Sequence, residues 1–408
     1  MKECRICHTK LYKPFLSLGN APLSNAFLNY DDLEKMEPYF PLDVYWCPEC
    51  SLVQINQYEM PEKIFNSDYI YYSSHSTSWL NHCKNYVQNM ITRYKYNSSS
   101  LVMEIASNDG YLLQYFKDAN IPVIGIEPSS GCANVAIQRG VPTKTLFFTS
   151  KLAESLVNDR IQPNLIIGNN VLAHTPYLHD MVEGLKIVLA KGGLITMEFP
   201  HVLSLLNGVE FDTIYHEHFS YFSLHSVIRL FQEHGLTISD VDELPTHGGS
   251  IRIYANHNDD NKIKSKNIQY ILQKESECGL LDQQKYLKFS EMVYKTRWNL
   301  LSYLISAKKK GIRIVGYGAP AKGNTLLNFC GIREDLLEYT VDISPVKQGK
   351  FLPGTHIPVY APEKIIEDKP DEILILPWNI ADEITEQLSF FKKEGGKFII
   401  PIPEVRTI

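Results

Sequence analysis

The sequence predicts an α/β protein with a small cysteine-rich module at the N-terminus and two doubly wound sheets behind it. Short apolar segments alternate with helical patterns from Leu101 onward and again from Ile312 onward, an order typical of parallel sheets covered by helices. Two Cys-x-x-Cys pairs precede both alternations. The expected parts are the module at residues 1–75, a first sheet domain at 76–256, a helical connector at 257–310 and a second sheet domain at 311–408.

Length and charge narrow the function classes. A chain of 408 residues can form two or three domains, and its apolar fraction of 44% is ordinary for a folded protein. The net charge of −6 gives no general basic field for nucleic acid or an anionic membrane. The first residues, MKECRICHTK, lack the apolar run of a secretory signal, and no run approaches the ~18 apolar residues of a membrane span. We therefore expect a cytoplasmic protein without nucleic-acid or membrane partners.

The two Cys-x-x-Cys pairs predict a structural zinc site. Four thiolates can close a tetrahedral site around Zn²⁺, which leaves no position for a substrate. The 39 residues between the pairs exceed the usual zinc-ribbon spacing, and unbound cysteines are the alternative. A module of ~70 residues with a thin core gains stability from a metal, which favours zinc. The expected ligands are Cys4, Cys7, Cys47 and Cys50.

A run of tyrosines follows the module. Tyr69, Tyr71 and Tyr72 stand next to Ser73 and His75. Aromatic rings with hydroxyl groups suit a polar ligand that has an apolar face. A rim of half-buried tyrosines that seals a domain interface is an equally good interpretation of the same residues.

Acidic residues follow the first two strands of the first predicted sheet. The strands are Leu101–Ala106 and Pro122–Ile126, and ligands of such sheets lie at the carboxyl ends of strands. The loop Glu104–Gly110 lacks the glycine spacing of a phosphate cradle, and its acid suits a cationic or amino-acid-bearing ligand. Glu127 is placed where a carboxylate can accept both ribose hydroxyls of an adenosine. S-adenosylmethionine carries both features; a fold without this ligand is the alternative.

The stretch Phe199–Phe222 holds the strongest candidate for acid–base chemistry. Histidine titrates near neutrality, and the run Tyr215-His216-Glu217-His218 sets a carboxylate and a phenol beside two imidazoles. On a strand, His216 and His218 would share a face, so chemistry alone does not choose between them. The alternative is a polar loop whose histidines have no role. Further along, His247 precedes a glycine pair and could reach the same cleft.

The second alternating unit contains a degenerate nucleotide-binding pattern. Gly316, Gly318 and Ala321 satisfy a permissive G-x-G-x-x-[GA] fingerprint, and Asp342 ends a later strand-like segment. Helix N-terminal amides with Lys322 nearby would form a phosphate site in an otherwise acidic protein. A nucleotide fold used only as scaffold is the alternative.

These motifs, taken in order, resemble the sugar C-methyltransferases of deoxysugar biosynthesis, of the kind that makes mycarose and tetronitrose precursors. The resemblance covers almost the whole chain and includes the cysteine pairs, the tyrosine-serine run, the Ser-Asn-Asp-Gly loop and the Tyr-His-Glu-His run. It implies a zinc-binding N-terminal module, a Rossmann-like class I methyltransferase domain that binds S-adenosylmethionine, and a C-terminal Rossmann-like domain that helps to hold a nucleotide sugar. Ala106 replaces the first loop glycine of methyltransferases in general, but fits this family.

The resemblance also implies a reaction and a set of site residues. A base removes the proton beside the ketone of a nucleoside diphosphate 4-keto-deoxyhexose, and the enolate takes the methyl group. The expected position is C3, and the expected nucleotide is dTDP or GDP. The implied catalytic residues are His218 as the base, Glu217, Tyr215, Tyr72 and Tyr71. The implied cofactor residues are Glu104, Ala106, Ser107, Asn108, Gly110, Glu127, Asn169, Asn170, Ala173 and His174. The implied substrate residues are Glu198, His201, His247, Ser250, Gly318, Lys322 and Asn324.

Three other functions compete with this interpretation. The glycine pattern at residues 316–321 suits an NAD-dependent nucleotide-sugar oxidoreductase. An O- or N-methyltransferase acting on a related sugar would use the same cofactor domain. A zinc-knuckle protein that binds nucleic acid would require a basic, aromatic surface, whereas residues 30–50 are acidic.

Overall fold

The structure is a computed structural model that describes residues 2–65, 72–260 and 262–408. The N-terminal module is built from short antiparallel strands and one short helix. They are β1 (Lys2–Glu3), β2 (Lys10–Leu11), β3 (Leu16–Ala21), β4 (Phe40–Trp46), β5 (Val53–Ile55) and α1 (Pro61–Ile64).

The central domain alternates strands and helices as the sequence predicts. Its strands are β6 (Val102–Ile105), β7 (Val123–Ile126), β8 (Thr143–Lys144), β9 (Leu165–Asn169), β10 (Leu194–Pro200), β11 (Ser220–Tyr221), β12 (Leu236–Leu244) and β13 (Ser250–His257). Its helices are α2 (Thr77–Tyr94), α3 (Leu113–Asp118), α4 (Ser130–Gln138), α5 (Ser150–Asn158), α6 (Leu178–Val188), α7 (Val202–Asn207) and α8 (Leu224–Glu233).

The central sheet has the strand order β12-β13-β10-β9-β6-β7-β8. Strands β6 to β10 are parallel, and β13 pairs antiparallel with both β10 and β12. Every residue of β6 and β9 is buried, because helices cover both faces of a parallel sheet. The sheet is thus the predicted doubly wound sheet, extended by an antiparallel hairpin.

The C-terminal part begins with two helices, α9 (Lys266–Glu277) and α10 (Gln283–Lys309), in the stretch predicted to be a helical connector. Its sheet has the order β16-β15-β14-β17-β18-β19, and β19 alone of these described strands runs antiparallel to its neighbour. The strands are β14 (Ile314–Tyr317), β15 (Thr340–Val341), β16 (Val359–Tyr360), β17 (Glu372–Ile375), β18 (Lys397–Ile400) and β19 (Arg406–Thr407). The helices are α11 (Ala321–Cys330), α12 (Lys364–Asp368), α13 (Ala381–Gln387) and α14 (Ser389–Lys393). No helix in the described part of the chain is long and apolar enough to cross a bilayer.

The N-terminal module joins both sheet domains. Its sheet has the order β11-β5-β4-β3, so its last strand, β11, comes from the central domain. The cysteine end of the module packs in one core with α6 and α8, whereas β3 and β4 pack in another core with α10 and the C-terminal sheet. The residues immediately before β11 therefore lie where all three parts of the chain meet.

Candidate active site

The loop after β6 has the backbone of a ligand-binding turn. Ala106 and Asn108 both have positive φ, at 54° and 48°, a conformation that costs energy in residues other than glycine. Each oxygen of the Glu127 carboxylate accepts a backbone N–H, from Asn108 and from Ser129, at 2.8 Å. Burial raises the pKa of Glu127 to about 7. Gly125 on β7 makes room for the loop, because a Cβ there would lie 2.3 Å from Ser107 Oγ.

Unpartnered polar atoms gather at this end of the central sheet. Burial without a hydrogen bond is costly, so such atoms mark places where a ligand completes the bonding. Glu104 is fully buried near Tyr111, neither of its carboxylate oxygens has a partner at hydrogen-bonding geometry among the described residues, and burial raises its pKa well above the ordinary range. Among the residues that the structure describes, others of this kind at the strand ends are Ser107 Oγ, Asp109 Oδ1, Ser129 Oγ, Asn169 Nδ2 and Asn170 Oδ1. This acid-rich set fits the amino, carboxyl and ribose groups of S-adenosylmethionine.

The segment that carries the histidine run is a turn, so the expectation that His216 and His218 would share the face of a strand is wrong. His218 Nδ1 lies 2.9 Å from the Thr213 carbonyl oxygen, and its Nε2 lies 2.9 Å from the Tyr215 hydroxyl. A carbonyl can only accept, so Nδ1 carries the proton and Nε2 keeps a lone pair. Burial, with His174 beside it, lowers the pKa of His218 well below its ordinary value.

The other members of the run face the N-terminal module. His216 Nε2 lies 3.3 Å from the Pro41 carbonyl oxygen, and its ring packs edge-on against Phe40. One oxygen of Glu217 accepts the backbone and side-chain N–H groups of Asn25 at 3.3 Å, and its other oxygen, Oε2, has no partner among the described residues. Burial raises the pKa of Glu217 to about 7. Geometry thus separates His218 from His216.

His174, grouped by sequence with the cofactor residues, lies against the His218 ring. The two ring centroids are 4.6 Å apart in an edge-to-face arrangement. His174 Nδ1 donates to the Glu217 carbonyl oxygen at 2.8 Å, and burial lowers the pKa of His174 to about 4. The neighbouring Ala173 accepts the Phe219 backbone N–H at 2.8 Å. The residues after β9 therefore join the carboxyl end of the central sheet to the turn at residues 215–218, called the histidine turn below.

The segment after Tyr72 is hydrogen-bonded to the loop after β6. The Ser73 backbone N–H donates to Asn108 Oδ1 at 2.9 Å, and the Ser74 hydroxyl donates to Asp109 at 2.5 Å. Arg139 forms an ion pair with the same aspartate at 3.0 Å. Tyr72 is half-buried, and burial raises the pKa of its phenol. Tyr71 lies outside the described residues.

A polar cleft between the central and C-terminal domains contains Lys322, which lies at the start of α11. Its ammonium is 4.3 Å from the centre of the Trp378 ring and donates to Asn379. Trp378 Nε1 donates to Asp212 Oδ2 at 2.7 Å across the domain boundary, while Asp212 Oδ1 has no partner in the described residues. Burial lowers the pKa of Lys322, and the nearby Asp212 and Glu210 oppose that shift.

The two carboxyls facing this lysine were missed by the sequence interpretation. Burial raises the pKa of Asp212 to about 6 and that of Glu210 to about 7. A Cβ on Gly248 would lie 2.4 Å from Glu210 Oε1, so the His-Gly-Gly loop must carry glycine there. His247 is solvent-exposed, and its ring packs edge-on against Trp79. The signal that could have revealed both acids is their position just before the Tyr-His-Glu-His run.

Two of the candidate substrate residues from the central domain are engaged in buried ion pairs. Glu198 contacts Arg252 at 2.5 Å and His82 at 2.9 Å. Burial acts to raise its pKa, but these partners hold it at about 2. His201 Nε2 lies 2.7 Å from Glu275 in a pocket that is almost fully buried. These contacts join β10 and the residue after it to α2, β13 and α9.

The remaining substrate candidates support backbone geometry. The Ser250 hydroxyl donates to the Thr246 carbonyl oxygen at 3.0 Å. Gly318 has φ of +85°, and a Cβ there would lie 2.6 Å from Pro377. Asn324 Nδ2 donates to the Ser24 carbonyl oxygen at 2.6 Å, whereas its Oδ1 has no partner among the described residues. Asn324 therefore holds the loop whose next residue, Asn25, contacts Glu217.

Asp342 of the C-terminal fingerprint is already engaged by the protein. Its carboxylate accepts the Ala319 and Ser344 backbone N–H groups at 2.7 and 2.8 Å, and Lys347 lies 3.5 Å away. Asp342 thus fastens the glycine turn after β14 to the loop after β15.

The four knuckle cysteines converge on one point. The thiol sulfurs of Cys4 and Cys50 are 3.4 Å apart, as are those of Cys7 and Cys47, and Cys7 and Cys50 are 3.6 Å apart. These distances are too long for disulfides, at ~2.05 Å. They approach the ~3.8 Å edge of a tetrahedron with ~2.3 Å Zn–S bonds. The four thiols fit a closed structural zinc site, as predicted.

The doubly wound central sheet and the acidic residues ending β6 and β7 define an S-adenosylmethionine-dependent class I methyltransferase. Three family models match consecutive parts of the chain: a zinc binding domain at residues 4–65, a methyltransferase domain at 82–241 and a C-methyltransferase C-terminal domain at 245–403. C-methyltransferase NovU of Streptomyces niveus is 35% identical over 406 residues, covering 100% of this chain and 96% of NovU. The chain belongs to this C-methyltransferase family, which confirms the family, fold and enzyme class predicted from the sequence.

Solved methyltransferase structures are similar to less than half of the chain, at low sequence identity. Magnesium protoporphyrin IX methyltransferase of Synechocystis, solved with bound SAH, is 13% identical, with a TM-score of 0.35 over 48% of this chain and 90% of that chain. A SAM-dependent methyltransferase of Anabaena variabilis is 16% identical, with a TM-score of 0.34 over 42% of this chain and 83% of that chain.

Proposed function

We propose that the chain methylates the carbon beside the ketone of a nucleoside diphosphate 4-keto-deoxyhexose, at C3 and with dTDP or GDP as the nucleotide. The observation that carries this proposal is the tautomer of His218: Nδ1 donates to the Thr213 carbonyl oxygen, so Nε2 of this half-buried ring keeps a lone pair. Carbon acids beside ketones need such a base, whereas transfer to an existing hydroxyl does not need a carbanion. The full-length similarity to a C-methyltransferase supports the same reaction class.

In the proposed reaction, His218 Nε2 takes the proton from the carbon beside the ketone, and the electron pair moves into an enolate. The Tyr215 hydroxyl donates to that nitrogen at 2.9 Å; when the substrate carbon takes its place, the same hydroxyl turns to donate to the developing oxyanion. Tyr72 supplies a second phenol from the side of the cofactor loop, to which its neighbours are fastened. The enolate carbon would then bond to the methyl group of S-adenosylmethionine, with the methyl–sulfur bond breaking and S-adenosylhomocysteine as the leaving group.

The cofactor supplies the electrophilic methyl group when it is bound. The chain's part is to hold it in line with the enolate carbon, since alignment is the main requirement of methyl transfer. Glu127 would receive the ribose hydroxyls, and the loop from Glu104 to Gly110 would receive the amino-acid end. The residues after β9 contact the histidine turn through His174, which supports binding of both reactants at one edge of the sheet.

Binding of the diphosphate is proposed at the cleft between the central and C-terminal domains. Lys322 provides the local positive charge that an acidic protein requires for an anionic substrate. The acidic neighbours of Lys322 are Asp212 and Glu210, and burial raises their pKa values to about 6 and about 7. Protonation of either carboxyl near neutrality would leave the lysine charge available to a phosphate.

The proton-abstraction step can be tested without methyl transfer. With S-adenosylhomocysteine bound and dTDP-4-keto-6-deoxyglucose as the probe, the enzyme should exchange a ring proton beside the ketone for deuterium from D₂O. Proton NMR measures the loss of the ring signal. Absence of exchange, together with methylation of a hydroxyl or amino group, would replace the proposal with an O- or N-methyltransferase.

The identity of the methylated carbon follows from the same chemistry. A ketone at C4 acidifies both C3 and C5, so the exchange experiment also shows which of the two protons His218 reaches. NMR of the methylated product should place the new methyl group at C3. A product methylated at C5 would keep the mechanism and correct the position.

The acid side of the pH profile should lie below the ordinary histidine range. The neutral imidazole is the base, and a lowered pKa keeps His218 neutral as the pH falls through 6.5. We expect kcat to hold at its plateau through pH 6.5 and to fall only in more acidic solution. The measurement is kcat from about pH 5 to about pH 9. Glu217, with a pKa of about 7, is the nearby group to control for, and Glu217→Gln should keep the same acid limb. An acid limb at or above 6.5 in both proteins would contradict the assignment.

A further inference from the structure

A side chain of the loop at residues 4–7, here called the first zinc knuckle, contacts the residue that follows the histidine turn. Arg5 lies between Cys4 and Cys7, and its backbone N–H donates to Gln54 Oε1 at 2.9 Å. Its guanidinium Nη1 reaches across to the central domain and donates to the Phe219 carbonyl oxygen at 2.7 Å. This is a short, charge-assisted hydrogen bond from a residue whose backbone is set by the metal-binding loop.

Phe219 directly follows His218 and is held from both sides. Its backbone N–H donates to the Ala173 carbonyl oxygen at 2.8 Å, on the side of the cofactor. Its carbonyl oxygen accepts the Ile55 N–H at 3.1 Å in addition to Arg5. The Arg5 guanidinium also lies 5.7 Å from the centre of the Phe219 ring. The peptide next to the base is therefore clamped between the methyltransferase sheet and the zinc module.

The upstream end of the turn holds the ring itself. The His218 backbone N–H donates to the Tyr215 carbonyl oxygen at 2.9 Å, and Nδ1 donates to the Thr213 carbonyl oxygen. These bonds lie within the turn, so they fix its shape but not its place in the cleft. Its place depends on contacts that leave the turn: those of His216 and Glu217 described above, and the downstream anchors at Phe219, which are nearest to the base in the chain. Of those anchors, Arg5 is the charged one, and it alone comes from the metal-binding loop.

We propose that Arg5 is a positioning residue for the base: the first zinc knuckle sets where His218 stands by holding the Phe219 carbonyl. The inference rests on the proposed function, since it assigns His218 the role of base. It gives the zinc module a part in catalysis although no zinc ligand reaches the substrate. A misplacement of the order of 1 Å in such a site can cost about a hundredfold in rate.

The second knuckle offers a matched control. Arg229 on α8 donates from Nη1 to the Glu49 carbonyl oxygen at 3.3 Å, between Cys47 and Cys50. This is also a contact between an arginine and a knuckle across the same domain boundary, but its carbonyl partner belongs to the second knuckle and not to the peptide after His218, and Arg229 also pairs with Glu233 on the helix surface. Arg5→Ala and Arg229→Ala therefore remove similar contacts with different expected consequences.

The experiment compares the zinc-loaded full chain with Arg5→Ala, Arg5→Lys and Arg229→Ala. With dTDP-4-keto-6-deoxyglucose and S-adenosylhomocysteine in D₂O, Arg5→Ala should slow ring-proton exchange by about tenfold to about a hundredfold. Its zinc content, its S-adenosylhomocysteine affinity by calorimetry and its KM for the sugar should stay within about twofold of wild type. Arg5→Lys should recover part of the rate, because it restores a cationic donor. Arg229→Ala should exchange at the wild-type rate.

A second measurement does not depend on the substrate. Amide hydrogen exchange followed by mass spectrometry should show faster exchange in the peptide 213–222 of Arg5→Ala, and not of Arg229→Ala. Unchanged exchange in that peptide, or equal loss of rate in both alanine variants, would overturn the positioning role. If the wild-type enzyme itself exchanged no ring proton, the proposed function would fail. Wild-type exchange with an equally fast Arg5→Ala enzyme would sink the Arg5 proposal alone.

Discussion

Replacing His218 with alanine is expected to lower the rate of methyl transfer by about a hundredfold to about ten-thousandfold. The variant loses the lone pair at Nε2, the atom that faces the Tyr215 hydroxyl. Affinity for S-adenosylhomocysteine should change by less than about threefold, because the side-chain hydrogen bonds of His218 within the described part of the chain go to Thr213 and Tyr215, and not to the loop after β6. Steady-state kinetics on the nucleotide keto-sugar and a calorimetric titration of the cofactor product measure the two effects.

His216→Ala is the matched control for that substitution. It removes an imidazole two residues away, but one that packs on Phe40 and the Pro41 carbonyl of the N-terminal module. We expect it to lower the melting temperature while retaining most of the turnover of the folded enzyme. Retained turnover in His218→Ala, with loss in His216→Ala, would exchange the roles of the two residues.

Removal of the metal should have the second large effect. The folding free energy of small zinc modules comes largely from binding of the metal by its ligands. In this module, β5 also pairs with β11, the strand that follows the histidine turn. Cys47→Ser should release zinc, lower the melting temperature by about 5 to 15 °C and reduce turnover below about 1% of wild type. Metal analysis, calorimetry and the methyl-transfer assay test the three statements.

Cys278→Ser provides the comparison for the cysteine substitution. Cys278 is a partly buried cysteine outside the cluster of four thiols. Its replacement should leave zinc content and turnover unchanged. A Cys47→Ser enzyme that kept its stability and activity without zinc would show that the metal does not support the fold.

The sequence predicted the two sheets well because their strands are long runs of buried apolar residues. The strands Val102–Ile105 and Val123–Ile126 lie within one residue, at either end, of the predicted Leu101–Ala106 and Pro122–Ile126. The zinc ligands were equally accessible, since Cys-x-x-Cys is a local pattern with one dominant chemistry. The acid at each of two strand ends pointed to S-adenosylmethionine by the same local logic.

Contacts between distant parts of the chain left no such pattern. The pairing of Ser220 with Gln54 and the hydrogen bond between Trp378 and Asp212 each join segments more than a hundred residues apart. The choice between His216 and His218 also depended on tertiary structure, because the turn, and not a strand, decides where each ring points. A linear reading therefore finds the residues of this site more readily than their partners.

The strand that the central domain lends to the N-terminal module has a consequence for biosynthesis. Gln54 on β5 and Ser220 on β11 are 166 positions apart (220 − 54), so the module must wait for much later residues before its sheet is complete. At ~5–20 residues per second, that interval is about 8 to 33 seconds. During it the exposed edge of β5 is open to pairing with other chains. Early metal capture by the four thiols would shelter the nascent segment until its missing edge arrives.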